Sequence, residues 1–248
     1  MRSVLDLNYG KSNDPAQVLD IFMPDLGDNF PVMVYFHGGG LEGGDKRLLK
    51  IANSLVKRGI VFVTANYRMY PTAKYPEFIE DAAAAVSFVF ENISNYCTPR
   101  GIYVGGSSAG GYLSLMLCFD KKWLAKYNIS PMDISGFIHD AGQPTTHFNV
   151  LREKGIDPKR IVVNEAAPLY HIGEDKEYPR MLIIVSDKDM ENRYEQTLLT
   201  ASTLKHFGHR EDKVKLLVKN GGHCHYLPTF EENGENSFAK MVADYIES

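Results

Sequence analysis

The stretch Gly105-Gly106-Ser107-Ser108-Ala109-Gly110-Gly111 sets two small hydroxyls among glycines, directly after the apolar run Ile102–Val104. Residues 106–110 fit G-x-S-x-G centred on Ser108. A serine on a sharp strand-to-helix turn adopts strained dihedrals, so the neighbours two positions away must be small. Centred on Ser107 the pattern loses one glycine, because Ala109 then occupies the +2 position. The chemistry such a serine serves is nucleophilic attack. It needs a base, usually histidine, and a carboxylate that orients the base. The base candidates are His223 and His225, in Asn220–His225 after the run Val214–Val218. The acid candidates are Asp187 and Asp189, after Met181–Val185, and Asp140, just past Ile134–Ile138. A dinucleotide-binding reading fails, because G-x-G-x-x-G started at Gly105 meets Ser107 where glycine is needed. No phosphate-loop lysine follows either.

A second glycine loop, His37-Gly38-Gly39-Gly40, follows the apolar run Val32–Phe36. Glycines there let bare backbone approach a reacting group and aim N–H donors at it. HGGG on one strand end and G-x-S-x-G on a later one are together far more specific than either alone. With both, the chain resembles the α/β-hydrolase superfamily, and within it the hormone-sensitive-lipase-like and acetyl-xylan-esterase-like esterases. The opening Gln17–Pro24 and the segment Asn66-Tyr67-Arg68-Met69-Tyr70-Pro71 with Asp81 are similar to the family's pattern as well. The resemblance covers nearly the whole chain and is weakest over 143–179.

The resemblance implies Ser108 as nucleophile, His223 in the Gly-His loop as base, and Asp189, the second aspartate after its strand, as acid. Gly39, Gly40 and Ala109 would supply the N–H groups of an oxyanion hole, with His37 pinning the loop in a structural role. Arg68 and Asp81 would form a supporting ion pair, which contributes little if exposed. The reaction expected is hydrolysis of short-chain acyl esters, with acetyl groups on carbohydrate as the substrate class and neither metal nor organic cofactor required. Two departures from the lipase-like pattern stand out. Ser107 occupies the position before the nucleophile where that family usually has Asp, and no long N-terminal cap precedes the core. The rival readings are an arylformamidase-like amidase, a small serine peptidase and a non-catalytic binding module on the same fold.

Such residues must be held by a scaffold. Short apolar, β-branched runs at Val32–Phe36, Ile60–Thr64, Ile102–Val104, Ile134–Ile138, Met181–Val185 and Val214–Val218 suit strands buried on both faces of a parallel sheet. Helical spacing fills the gaps: Leu48, Ile51, Ala52 and Leu55 before Gly59; Phe78, Ala82, Val86 and Val89; Phe238, Met241, Val242 and Tyr245. Gln17–Phe22 reads as an antiparallel edge strand paired with residues 2–9. Alternation of strand and helix predicts one doubly wound α/β domain over 1–248, with 143–179 as a short lid insertion. HGGG, Ser108, Asp189 and His223 would then share the carboxyl edge of the sheet, where ligands bind in such folds.

Composition agrees with that class. The chain has 248 residues, 44% apolar and 23% charged, with a formal net charge of −4 and scattered basic residues. A nucleic-acid partner would leave a basic stripe. The three cysteines, Cys97, Cys118 and Cys224, match no metal-ligand spacing. The N-terminal MRSVLDLNYG lacks the apolar core of a signal peptide and no run approaches membrane-spanning length, so the sequence as written reads as cytoplasmic, or as secreted had a leader been removed. Oligomeric state is left open.

Overall fold

The computed structural model describes residues 1–248. In chain order its elements are β1 (Arg2–Asn8), β2 (Val18–Met23), β3 (Asn29–Phe36), α1 (Leu49–Lys57), β4 (Val61–Ala65), α2 (Glu77–Asn92), β5 (Thr98–Ser107), α3 (Ala109–Phe119), α4 (Lys122–Ala125), β6 (Gly136–Asp140), α5 (Phe148–Glu153), β7 (Met181–Ser186), α6 (Arg193–His206), β8 (Val214–Lys219) and α7 (Ser237–Ile246). The eight strands form one sheet in the order β1-β2-β4-β3-β5-β6-β7-β8. β1 and β2 are antiparallel to their neighbours, and every pair from β4 to β8 is parallel.

The apolar runs behave as their composition predicts. Val32–Phe36, Val61–Ala65 and Met181–Ser186 are buried along their whole length, because helices cover both faces of the sheet. On one face α2, α3 and α4 pack over the larger core, with Val34, Phe78, Val86, Val104, Leu113 and Phe137 in it. On the other, α1 and α7 cover Tyr35, Phe62, Ile138 and Ile184 with Leu55, Phe238 and Val242. Helix α3 is buried at every position, which is why its sequence shows no polar face.

Several strand ends move by a few residues, and at two strands the cause is plain. The strand read at Ile134–Ile138 begins at Gly136, because Ser130 caps a 3-10 turn over Pro131–Asp133 whose bonding continues to Ile134. The strand read at Ile102–Val104 extends to Thr98–Ser107, where pairing with β3 outweighs the weak β-propensity of Thr98-Pro99-Arg100-Gly101. Between β6 and β7, residues 143–179 hold α5 and a 3-10 turn at Pro168–His171. Tyr112 of α3 anchors this segment by donating to the Ala166 carbonyl at 2.8 Å.

The Arg68–Asp81 pair is not the exposed contact considered above. The Asp81 side chain is buried and accepts from Arg68 Nε at 2.9 Å, Arg68 Nη2 at 2.7 Å, the Arg68 N–H at 2.9 Å and Gln17 Nε2 at 2.6 Å. A buried carboxylate so satisfied fixes the segment after β4 against α2, and removing Arg68 would leave its charge uncompensated.

Candidate active site

The carboxyl ends of β3, β5, β6, β7 and β8 lie side by side, with Phe36 opposite Gly106, Ser107 opposite Asp140, and Ser186 opposite Lys219. Each loop carrying a candidate site residue leaves from this edge.

The turn after β5 is sterically forced. Ser108 sits at φ 55°, ψ −112°, in a region closed to most L-residues. Its N–H is held by the Asp140 carbonyl at 2.8 Å. A Cβ on Gly110 would lie 1.9 Å from the Phe36 carbonyl oxygen, and one on Gly106 would lie 2.5 Å from Gly110. Helix α3 and β3 therefore approach through both glycines, which accounts for the G-x-S-x-G spacing. The two serines diverge. Ser107 is buried, accepts from Tyr35 Oη at 2.6 Å and donates to the Asp140 carboxylate, whereas Ser108 is half-buried and faces the loops above.

Asp189 and His223 reach Ser108 from the loops after β7 and β8. Ser108 Oγ lies 2.8 Å from His223 Nε2, and His223 Nδ1 lies 2.5 Å from Asp189 Oδ1. With Nδ1–H donating to the carboxylate, Nε2 is left to accept from the serine hydroxyl. The Asp189 side chain is fully buried and that of His223 is 25% exposed. Burial alone would raise the Asp189 pKa, but the hydrogen bond and charge of His223, with the N–H groups of Met190 and Ser186, outweigh it and hold the carboxyl below its ordinary value. Asp187 turns elsewhere: its Oδ1 accepts from the Gly221 N–H at 2.8 Å, stitching the acid loop to the histidine loop. His225 points away from Ser108, with Nδ1 3.0 Å from the Gly222 carbonyl.

The HGGG loop is pinned from several sides. His37 stacks on Tyr67 at 4.6 Å, and its Nδ1–H donates to the Gly38 carbonyl at 2.7 Å. Its Nε2 is buried without a partner, and burial lowers its pKa. Tyr67 Oη donates to the His37 carbonyl at 2.8 Å. Gly39 has φ +121°, and a Cβ there would lie 1.9 Å from the Gly43 carbonyl oxygen. The Gly39 and Gly40 N–H groups make no main-chain hydrogen bond. Ala109 opens α3, so its N–H is among those the helix itself leaves unused. These three N–H groups and the Ser108 hydroxyl belong to loops that meet: a Cβ built on Gly38 would lie 3.2 Å from Ser108 Cβ.

Asp140 is not on the acid's position beside His223. Its carboxylate accepts from Ser107 Oγ and Tyr226 Oη beneath the serine turn, with Cys224 Sγ 3.9 Å away. Complete burial pushes its pKa up to about 6. Sequence reading also passes over Asn149, whose side-chain amide donates to the Gly40 carbonyl, and Phe148, whose ring lies 3.1 Å from a Cβ built on Gly40. Both sit in 143–179, where nothing local signals a partner over a hundred residues away. Burial pushes the Cys224 thiol up, so it stays protonated and unreactive at neutral pH.

Known proteins share these features. A family model described as BD-FAE matches residues 19–131, which contain both glycine loops. Carboxylesterase NlhH of Mycobacterium tuberculosis is 38% identical over 111 residues, 44% of this chain and 34% of that relative, so the match spans about a third of the relative's length. A truncated carbohydrate esterase from gut microbiota has a similar structure, with a TM-score of 0.75 at 18% identity over 100% of this chain and 95% of that one. Esterase B from Lactobacillus Rhamnosis gives 0.79 at 16% identity over 99% and 85%. At these identities the structural likeness establishes the fold, the mostly parallel, helix-flanked sheet of the α/β-hydrolase type that these esterases share.

Proposed function

We propose that the chain is a serine carboxylesterase that hydrolyses short-chain acyl esters, with acetyl groups on carbohydrate as its substrate class. The observation that carries this reading is the continuous run Ser108 Oγ–His223–Asp189, at 2.8 and 2.5 Å, beside a glycine loop with two uncommitted N–H groups. In the proposed cycle His223 Nε2 takes the Ser108 proton as Oγ attacks the ester carbonyl. Asp189 holds the ring and stabilises the imidazolium. The N–H groups of Gly39, Gly40 and Ala109 receive the developing oxyanion. The imidazolium then protonates the departing alcohol, and water, activated by the same histidine, releases the acid from Ser108.

The short-acyl preference is supported by a half-buried serine and a small insertion over 143–179. The carbohydrate preference draws on the likeness to a carbohydrate esterase. The test is hydrolysis of p-nitrophenyl acetate by the purified chain and by Ser108→Ala, for which a loss of about 10⁵- to 10⁶-fold in kcat is expected. Near wild-type turnover in that variant would overturn the assignment of Ser108. A series of p-nitrophenyl esters, acetylated sugars and N-formylkynurenine tests the substrate class. Faster turnover of long-chain esters or of the formamide would overturn the acetyl-ester reading.

A further inference from the structure

Two clefts adjoin the loops around Ser108, and they differ in charge. One, about 470 Å³, runs from Gly38 past Tyr35, Leu48, Ile51 and Leu227 and is half apolar. The other, about 420 Å³, lies between residues 143–161 and the start of α6. Its walls carry Arg152, Lys159, Arg160 and Arg193 against a single acid, Glu191. This concentration of positive charge occurs on a chain whose net charge is −4.

The four cations are not equivalent. Arg152 is paired with Glu42 at 2.8 Å. Lys159 and Arg160 are exposed and make no ion pair. Arg193 is 5% exposed, and its side-chain hydrogen bonds go to neutral acceptors, the Ala141 carbonyl and Gln143 Oε1 at 3.3 Å. A guanidinium has five N–H donors and no acceptor, so two bonds leave donors unused. No carboxylate hydrogen-bonds this buried cation, though the Asp189 charge acts on it from nearby, and buried charges are usually paired directly.

The cleft meets the site at its inner end. Phe148, on its wall, abuts Gly40, and the Ala141 carbonyl that holds Arg193 follows directly on Asp140, whose own carbonyl holds the Ser108 N–H. We propose that this cleft binds a carboxylate carried by the alcohol part of the ester, with Arg193 as the buried anchor and Lys159 and Arg160 at the mouth. The substrate class narrows to acetyl esters of acidic alcohols, such as a carbohydrate bearing a uronic acid. The inference rests on the esterase reading. An acetyl group carries no charge, so the carboxylate must lie on the other side of the ester oxygen.

The experiment compares 4-acetoxybenzoate with its neutral analogue 4-acetoxybenzamide on the full chain and on Lys159→Glu/Arg160→Glu. Both residues are exposed, so the variant keeps its fold. The ratio of kcat/KM for acid over amide should fall about 10- to 100-fold in the variant, mainly through KM, because both exposed cations at the mouth become acids. It should also fall with rising salt in the wild type, because exposed charges at the mouth are screened. Arg193→Lys, which keeps the charge but loses the fork, should lower the same ratio. A ratio unchanged within about twofold in the double variant would overturn the proposal. If the wild type hydrolyses neither compound, the esterase reading fails separately, and calorimetry with 4-hydroxybenzoate and 4-hydroxybenzamide decides the cleft. Binding of the acid that is lost in the double variant supports it, and no binding of the acid to the wild type overturns it.

Discussion

The candidate site is assembled from two regions that position their groups by different physics. Residues 19–131 contribute two backbone turns, the HGGG loop and the turn that carries the Ser108 hydroxyl, at the ends of buried strands in the middle of the sheet. There, placement is set by contacts no side chain could survive, such as the 1.9 Å separation that a Cβ on Gly110 would have from Phe36 O. Residues 136–248 contribute side chains on loops toward the β8 edge, where the strand is only partly buried and Asp187 and Lys188 are exposed. There, placement is set by hydrogen bonds, including Asp189 to the N–H groups of Ser186 and Met190 and Asp187 to that of Gly221. A steric device tolerates no gradual change, whereas a hydrogen-bonded loop can lose one contact at a time. That contrast also fits the family match, which covers the first region and stops before the second.

The sharpest way to break the contrast is Gly110→Ala. Its methyl group would overlap backbone on β3, so neither rotamer change nor side-chain shift relieves it. The expected result is a loss of more than about 4 kcal/mol of stability, read as a collapse of soluble yield or of Tm. A stable Gly110→Ala protein would show that the serine turn is far more compliant than its contacts imply. Asp189→Asn tests the second region. It keeps shape but no longer fixes the His223 tautomer, so kcat should drop about 10⁴-fold with little change in Tm. Asn149→Ala is the intermediate case, a side chain of the second region supporting the main chain of the first. Loss of its bond to the Gly40 carbonyl loosens the Gly39–Gly40 turn, and if that turn is the proposed oxyanion hole, a drop of about tenfold in kcat with nearly constant KM is expected.

How much of this could be read from sequence follows the same divide. HGGG and G-x-S-x-G are legible because their cause is local: small residues at fixed offsets around one strained turn. The parallel sheet is legible because burial on both faces leaves nearly uninterrupted apolar runs. Asp189 and His223 were reached through strand ends and family resemblance, and the structure places their side chains within hydrogen-bonding distance of each other and of Ser108. Asn149, Arg193 and the Ser107–Asp140–Tyr226 cluster were not found, because each depends on contacts between segments 33 to 109 residues apart with no shared pattern. In the sequence Ser107 stands out as a poorer centre for the motif and as a departure from Asp. Its meaning needed the fold: the carboxylate in contact with this turn is Asp140, on the neighbouring strand.

Asp140 gives the finest test, because it touches both regions: Ser107 on one side, Tyr226 on the other. Its folded pKa is raised by burial to about 6, above the ordinary 3.8. Between those values the folded chain holds more protons than the unfolded one, so this group's contribution to stability falls as pH rises from about 4 to about 6 and stays low above that. The facing groups are Ser107, Tyr226 and Cys224, with the charges of His223 and Asp189 nearby, and all of them persist in Asp140→Asn. The variant carries no charge to bury. Its Tm relative to wild type should therefore rise across that window and level off above pH 7. Its kcat should fall about tenfold, because an amide cannot accept from both hydroxyls as the carboxylate does. Thermal scans at pH 4, 5, 6 and 7 check the first expectation and p-nitrophenyl acetate turnover the second. Parallel Tm curves for the two proteins would mean that Asp140 keeps an ordinary carboxylate pKa despite its burial. Unchanged turnover would mean that the two regions meet only through Ser108 and His223.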